Sequence, residues 1–196
     1  SSATVYGNSD IQPLKESFPL KSLSPYGSTK IAIENYLEEV CSTPELNAIS
    51  LRYFNPVGSL RNSKLFENPL NKPTNLMPMI NLVALGIKDK LMIYGGDYNT
   101  NDGTAERDYI HVVDLIYGHL KALDYLQNFN GHDSINLGTG KKTSVLELVN
   151  SYSSVNKIDI PYIITDRRSG DVPICYCDSE KAKNKIDWQS KGSIEE

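Results

Sequence analysis

Tyr26 and Lys30, in the stretch SPYGSTK (24–30), are the residues whose types and spacing first suggest chemistry. Residues four apart share one face of a helix, so the phenol and the ammonium would point the same way. A lysine ammonium beside a phenol favours the phenolate, and such a tyrosine can act as a general base near neutral pH. The spacing alone does not separate this pair from ordinary solvated residues at a helix start.

A helix must position this pair, and the spacing of apolar residues predicts one from about Ser28 to Cys41, with Ser28 or Thr29 near its start. The rest of the chain alternates strand-like and helix-like segments, which is the order of an α/β protein. Strands are predicted in SSATVYG (its end), AISLRYFNPVG, KLMIYGG, SINLGTG and, as a pair, IPYIITDRRSGDVPICYCD. Further helices are predicted in LMPMINLVALG, RDYIHVVDLIYGHLKALDYL (after a strand edge), TSVLELVNSYSSV (N-capped by Thr143) and SEKAKNKIDW.

Composition limits the class of protein. Hydrophobic residues make up 39% and charged residues 22% of the chain, which fits a globular protein. A formal net charge of −4 gives no reason to expect affinity for nucleic acid or for an anionic membrane, and no apolar run could span a bilayer. The three cysteines, Cys41, Cys175 and Cys177, have no metal-ligand spacing, which indicates no metal site and favours a reduced, cytoplasmic setting.

Four segments in order, SSATVYG, PYGSTK, LRYFNPVG and NDGTAERDYIHVVDL, resemble the extended short-chain dehydrogenase/reductase family and, within it, the UDP-hexose 4-epimerases. NLGTG and RRSGDV support the resemblance, which runs from residue 1 to about Trp188. It implies an α/β fold: the C-terminal part of a Rossmann-type doubly wound parallel sheet plus a smaller α/β substrate-binding domain. Residues 1–58 would belong to the NAD-binding domain and 59–196 mainly to the substrate domain, with 91–126 partly returning to the first.

The resemblance assigns chemistry to the opening pair. It implies NAD-dependent interconversion of UDP-glucose and UDP-galactose through transient oxidation at sugar C4. Tyr26 matches the base for the 4-hydroxyl, and Lys30 matches the residue that holds the nicotinamide ribose and favours the phenolate. Ser2 matches the hydroxyl that bonds the reacting oxygen, with Thr4 as a lesser candidate, and Tyr53 lies where the family packs a residue beside the nicotinamide. A core tyrosine on a strand is the alternative for Tyr53.

The same resemblance implies a binding site for the nucleotide sugar. Asn55 matches a substrate-contacting residue, and Asn75 and Leu76 match a pair that meets the nucleotide at a helix start. Leu91 and Tyr94 belong to a strand that resembles the one flanking uracil; a plain buried strand is the alternative.

Three charged residues complete the implied nucleotide site. Arg107 and Arg168 match arginines that grip the pyrophosphate, and Asp171 matches the carboxylate that binds the ribose hydroxyls; surface ion pairs are the alternative for all three. Cys175 matches a position beside the sugar's 2-substituent, where a small residue would leave room for an N-acetyl group. A buried thiol that packs against a neighbouring strand is its alternative.

The glycine-rich turn of a dinucleotide site, G-x-G-x-x-G, does not occur in the sequence. The chain also opens without an initiator Met or a signal peptide, so we expect a fragment that lacks the upstream cofactor loop and is inactive alone. The alternatives are a non-catalytic remnant or nucleotide-sugar-binding module, and a related dehydratase or decarboxylase, although the acidic pair typical of dehydratases is missing from SATVYG. The resemblance further suggests a homodimer through helices that include 28–41, although that face could equally pack internally.

Overall fold

A computed structural model describes residues 1–43, 45–60, 63, 65, 67, 69–71 and 73–195 of the chain. Its elements in chain order are a 3-10 helix Ala3–Tyr6, α1 Pro25–Val40, β1 Ala48–Tyr53, β2 Asn55–Val57, α2 Leu76–Ala84, β3 Leu91–Tyr94, β4 Glu106–Arg107, β5 Tyr109–His111, α3 Val112–Leu126, β6 His132–Leu137, β7 Thr143–Ser144, α4 Val145–Asn156, β8 Tyr162–Thr165, β9 Ile174–Cys175 and α5 Glu180–Ile186. Helices and parallel strands alternate along the chain, so the predicted α/β class is confirmed.

One group of elements is built on parallel strands covered by helices. β1 pairs with β6 from Ala48–His132 to Tyr53–Leu137, and β2 pairs with β5. Parallel neighbours need a long connection between them, and the long segments between β1 and β6 and between β2 and β5 each include helix α2. Helix α3 connects β5 to β6. α3 and α5 bury their apolar sides against this sheet around Ile110, Ile135 and Leu137. The pairing places 132–137 beside β1, and the domain boundaries given above stay a prediction.

The second group surrounds a separate apolar cluster. β3 pairs in parallel with β8, while β4 lies between β7 and β9. α2 and α4 pack over this group, where Ile80, Leu91, Ile93 and Val149 are buried. β4 continues through Asp108 into β5, so consecutive residues of one segment connect the two groups.

Two predicted helix starts were wrong. α1 begins at Pro25 instead of about Ser28, because the Ser24 hydroxyl accepts a hydrogen bond from the Gly27 N–H (3.1 Å) and proline fits the first helical position. α4 is capped by Ser144 rather than Thr143: Ser144 and Glu147 form a reciprocal capping box. Thr143 instead pairs with Arg107 in the sheet.

The first segment also differs from the predicted strand end. Ser2 makes one parallel bridge to Tyr53, and the chain then turns directly into the 3-10 helix. Within the described residues, no helix is both long and apolar enough to cross a membrane.

Candidate active site

Ser2 lies at the C-terminal end of β1, where the bridge to Tyr53 fixes its backbone. Its side chain caps the 3-10 helix: the Ser2 Oγ accepts hydrogen bonds from the Thr4 N–H (3.3 Å) and from the Thr4 hydroxyl (3.1 Å). Both residues line a cleft of about 810 Å³. The Ser2 hydroxyl proton is not used in these contacts, so it can be donated to a ligand in the cleft.

Tyr26 and Lys30 lie on the first two turns of α1 and share one face of the helix, as their spacing predicts. The Lys30 Nζ lies 5.3 Å from the centroid of the Tyr26 ring. The Tyr26 side chain is 56% exposed, so its hydroxyl is open to a reactant. The Lys30 ammonium therefore lies beside the Tyr26 ring, where it would favour the phenolate form.

Tyr53 is the last residue of β1 and pairs with Ser2 in the bridge described above. Burial raises the pKa of Tyr53, and the negative charge of an ionised Tyr26 would raise it further. The Tyr53 hydroxyl lies 2.5 Å from the His119 Nε2, and the His119 Nδ1 lies 2.9 Å from the Leu115 carbonyl oxygen. The carbonyl can only accept, so Nδ1 carries the proton and Tyr53 donates to Nε2.

The cleft brings together most of the residues assigned to the nucleotide sugar. Its walls come from β2, α2, β3, β4 and the segments that follow β8. The predicted site residues on its lining are Ser2, Asn55, Asn75, Leu76, Leu91, Tyr94, Arg107, Arg168 and Asp171. Tyr26, Lys30, Tyr53 and Cys175 are not among the described residues that form this lining.

Asn75 and Leu76 lie at the start of α2. Asn75 occupies the N-cap without a side-chain cap bond, and its amide nitrogen instead donates to the Glu67 Oε1 at 3.1 Å. The N–H groups at the start of a helix lack intrahelical partners and favour negative charge. This end of the cleft is therefore suited to a phosphate or carbonyl oxygen.

The charged residues on the cleft lining are held by their neighbours. The Arg107 Nη1 donates to the carbonyl oxygens of Glu106 (2.9 Å) and Pro173 (3.5 Å), and its Nη2 lies 3.8 Å from the Asp171 Oδ1. The Arg168 guanidinium lies over the Tyr94 ring, 3.9 Å from the centroid. Both guanidinium groups are thus held in place by neighbours before any ligand arrives.

Asp108 holds the strand that carries Arg107. Its fully buried carboxylate accepts hydrogen bonds from the N–H groups of Thr139 (2.7 Å), Gly140 (3.0 Å) and Cys177 (3.2 Å), and from the Thr139 hydroxyl (2.7 Å). Its backbone carbonyl accepts from the Asn55 N–H at 2.9 Å. One residue therefore fixes the relative positions of two cleft residues, Asn55 and Arg107.

Cys175 pairs with Arg107 in the sheet and packs against the apolar cluster of Leu14, Phe54 and Cys177. Burial raises the pKa of the Cys175 thiol to about 11, and the Asp108 charge adds to the effect, so the thiol is protonated at neutral pH. The predicted role of Cys175 beside the sugar stays a prediction. Phe54 belongs to this cluster and also lines the cleft.

Sequence reasoning missed several residues of the cleft, of which Tyr109 and Val145 are examples. Tyr109 could have been found, because residues two apart on an extended segment face the same side and Arg107 was already assigned. Burial raises the pKa of Tyr109 to about 12, so its phenol is protonated at neutral pH. Val145 reaches the cleft only because α4 folds beside β4, which no local pattern reveals.

The fold and the site together define an α/β protein that carries a tyrosine–lysine pair on α1 and a cleft of about 810 Å³ lined in part by charged and polar residues. A family profile described as GDP-mannose 4,6 dehydratase matches residues 1–196. The chain belongs to this family, and the resemblance to UDP-hexose 4-epimerases is confirmed: the UDP-glucose 4-epimerase of Bacillus subtilis (strain 168) is 45% identical over 197 residues. That alignment covers the whole chain but 58% of the Bacillus protein, so the chain spans little more than half of this relative.

Solved structures agree with the assignment. A UDP-glucose 4-epimerase from Stenotrophomonas maltophila, solved with NAD and formylated UDP-arabinopyranose, matches with a TM-score of 0.96 and 39% identity. One from Bifidobacterium longum, in complex with NAD⁺ and UDP, matches with a TM-score of 0.94 and 42% identity. Each match covers the whole chain and 58% of the solved one. The predicted Rossmann-type fold is thereby confirmed.

Proposed function

We propose that the full-length protein interconverts UDP-glucose and UDP-galactose by transient oxidation at sugar C4. One observation carries the proposal: the cleft that holds the predicted nucleotide-sugar residues has Ser2 and Thr4 on its wall, and the Thr4 carbonyl lies close to Gly27, the residue that follows Tyr26. The relatives at about 45% identity carry the name of this activity.

Tyr26 is the base of the proposed reaction. Its exposed phenolate removes the proton from the sugar's 4-hydroxyl, and the Lys30 ammonium stabilises the negative charge on the phenolate. Ser2 donates its free hydroxyl proton to the reacting oxygen and so orients it. In the second half of the reaction the Tyr26 phenol returns the proton to the 4-oxygen on the other epimer.

NAD⁺ is the cofactor that the proposal requires, and when bound it accepts and returns the hydride at C4. The residues present fit its nicotinamide side: the Lys30 ammonium, beside the Tyr26 ring, can bind ribose hydroxyls, and Tyr53 ends β1 at the bridge to Ser2. No glycine-rich turn for its pyrophosphate occurs in the 196 residues. The proposal therefore concerns the full-length protein, and we expect the isolated chain to be inactive.

The cleft residues bind the substrate's nucleotide part in this proposal. Arg107 and Arg168 neutralise the pyrophosphate, for which a planar guanidinium is well shaped, and Asp171 accepts hydrogen bonds from the ribose. Asn75 and Leu76 present the α2 N-terminus, while Leu91 and Tyr94 flank the base. Asn55, which lines the same cleft as Ser2, contacts the sugar.

Cys175 bears on substrate range in the proposal. By resemblance, a small residue here leaves space for an N-acetyl group, although the described residues that line the cleft include Phe54, of the cluster that Cys175 packs against, and not Cys175 itself. Turnover of UDP-N-acetylglucosamine by the wild type and by Cys175→Tyr decides the matter. Loss of this turnover alone supports a role at the sugar, whereas equal loss for both sugars indicates a damaged core.

Substitution of Tyr26 by Phe in the full-length protein tests the mechanism. Loss of a general base typically lowers kcat by about 10²–10⁴-fold, and we expect that loss with UDP-galactose binding retained. Tyr117→Phe is the matched control, because Tyr117 is an exposed tyrosine on α3 and lies outside the site. Near-normal turnover by Tyr26→Phe would refute the assignment of the base.

A dehydratase is the second candidate, since the family profile carries that name. Elimination of water needs an additional acid, and the residues that follow Thr4 are Val5 and Tyr6 rather than an acidic pair. Formation of a 4-keto-6-deoxy sugar from UDP-glucose or GDP-mannose would favour this candidate. A non-catalytic remnant predicts no turnover at all in the full-length protein.

We also propose a homodimer and a cytoplasmic location. The outer face of α1 exposes Ile33 and Tyr36, which suits a helix–helix interface, and three free cysteines suit a reducing compartment. A monomeric sedimentation coefficient for the full-length protein would contradict the dimer.

A further inference from the structure

Helix α1, which carries Tyr26 and Lys30, is attached to the sheet in an unusual way. Only Gly27 and Glu34 of its residues are buried, and one of the two is a carboxylate. An apolar stripe normally holds a surface helix on its core. Here a buried charge on α1, one turn beyond Lys30, must find its partner inside the protein.

That partner is Arg52 in the middle of β1. The Arg52 Nη2 lies 2.6 Å from the Glu34 Oε2, and the Arg52 Nε lies 3.0 Å from the Oε1. Both side chains are about 95% buried, so solvent screens this bidentate pair little. Burial alone would raise the pKa of Glu34, but the hydrogen bonds from Arg52 lower it, so the carboxylate is ionised at neutral pH.

Arg52 also reaches the 3-10 helix that begins after Ser2. Its Nη1 donates to the Tyr6 hydroxyl at 2.9 Å and to the Glu16 carbonyl oxygen at 3.2 Å. The Tyr6 hydroxyl in turn donates to the Asn136 Oδ1 on β6 at 2.6 Å. One guanidinium therefore connects α1, β1 and the 3-10 helix.

The two helices also touch each other directly near the proposed base. A Cβ added to Gly27 would lie 2.0 Å from the Ser22 Oγ and 2.8 Å from the Thr4 carbonyl oxygen. A shift of α1 would therefore also disturb the turn that holds Ser2. The contact at Gly27 and the buried hydrogen bonds of Arg52 therefore both connect α1 with the 3-10 helix.

We propose that Arg52, with Glu34 and Tyr6, is a positioning residue that fixes Ser2, Tyr26 and Lys30 relative to one another. The inference rests on the proposed function. A buried ion pair is often no more stabilising than apolar residues of similar volume, whereas its fork geometry allows one direction of approach. Proton transfer needs that accuracy, because a displacement of about 1 Å costs up to about 10²-fold in rate.

Two variants of the full-length protein test the inference. Arg52→Met with Glu34→Met removes both buried charges together and keeps their volume, and Tyr6→Phe removes only the hydroxyl bridge. We expect kcat to fall by about 10- to 100-fold in the first and about 10-fold in the second, with the KM for UDP-galactose within about twofold of wild type. Lys121→Met with Asp187→Asn removes an exposed pair between α3 and α5 and should change neither constant.

A folded double variant with wild-type kcat, or a loss that appears in KM instead, overturns the inference. If the double variant does not fold, Tyr6→Phe decides alone by the same two criteria. If the wild type itself does not epimerise UDP-hexoses, the proposed function fails. Amide hydrogen exchange then tests the positioning role. Tyr6→Phe should speed exchange over residues 25–34 but not in α3, and exchange over 25–34 at the wild-type rate would overturn the inference.

Discussion

Arg167 and Arg168 show how the surroundings of a residue decide what it can do. Arg168 lies over Tyr94 on the cleft wall, whereas Arg167 lies over Tyr98 and pairs with the exposed Asp97 (2.7 Å). The Asp97 pKa is lowered by the hydrogen bond from Arg167, but an exposed pair of this kind contributes little to stability. Two identical neighbours in the sequence therefore have different expected functions.

Replacing each arginine by lysine separates the two roles. Arg168→Lys keeps the charge but loses the planar group that stacks on Tyr94 and can bind two phosphate oxygens. We expect the KM for UDP-galactose to rise roughly tenfold, which corresponds to about 1.4 kcal/mol. Arg167→Lys is the control and should leave the KM unchanged, as steady-state kinetics on the full-length protein will show. Equal KM values for both variants would contradict the placement of Arg168 at the substrate.

At the scale of the element, α1 combines a marginal apolar face with one strong polar attachment. Ile31 packs against the cluster around Val5 and Leu14, but Glu34 is the side chain that reaches into the sheet. An attachment of this kind depends on the ionisation of a single carboxylate. The stability of the molecule should therefore report on α1 as the pH changes.

Burial is the largest single influence on the pKa of Glu34 and raises it, but the hydrogen bonds and charge of Arg52, together with the neighbouring Ser1, outweigh it and hold this pKa below its ordinary value. A depressed carboxyl pKa stabilises the fold above the unfolded-state value of about 4.5, and the stabilisation is lost as the pH falls through the folded value. Glu34→Gln should thus lower the free energy of unfolding by about 3 kcal/mol at pH 7, and by less below about pH 4.

Urea unfolding at several pH values measures the difference in the free energy of unfolding between the wild type and Glu34→Gln. Glu39→Gln, on the exposed side of the same helix, is the control. The control should follow the wild type at every pH. If the difference in free energy of unfolding between Glu34→Gln and the wild type stays constant from pH 7 to pH 3, the ionisation of Glu34 does not hold α1.

At the scale of the whole molecule, the sequence predicts the elements better than their contacts. The α/β order was readable because the apolar periods of α3 and α4 and the β-branched run of β1 are local signals. The predicted start of α1 is wrong because the start signal is formed by Ser24 and Pro25, whereas the prediction took Ser28 or Thr29 as the residue near the start. Ser144 was missed as a cap because Thr143, beside it, is an equally plausible capping residue.

The cleft was predictable only in part, for a physical reason. Asn55, Arg107 and Asp171 carry motif positions, so the sequence could assign them before any contact was known. The burial of Glu34 and Arg52 is a long-range fact: charged residues are almost never fully buried unless paired, and pairing across 18 positions leaves no local signal. Cys175 also carries a motif position, but it is not among the described residues that line the cleft, so its role beside the sugar stays a prediction.

The division of the ligand sites gives a prediction for the 196-residue chain itself. All the residues assigned to the uridine diphosphate part lie on one cleft, whereas the cofactor's pyrophosphate turn does not occur in the sequence. UDP should therefore bind this chain without NAD⁺. At a UDP concentration of about 100 times Kd, binding to the native state adds about 2.7 kcal/mol, which raises Tm by roughly 5–10 °C.

Thermal unfolding with UDP, NAD⁺ and inorganic pyrophosphate checks this. UDP should raise Tm in a concentration-dependent way, and Arg168→Lys should weaken the response, because Arg168 lines the cleft and is a predicted ligand of the pyrophosphate. Pyrophosphate reports the contribution of Arg107 and Arg168 alone and should act more weakly. A chain that is stabilised by NAD⁺ but indifferent to UDP would place the ligand at Tyr26 and Lys30 and refute the assignment of the cleft.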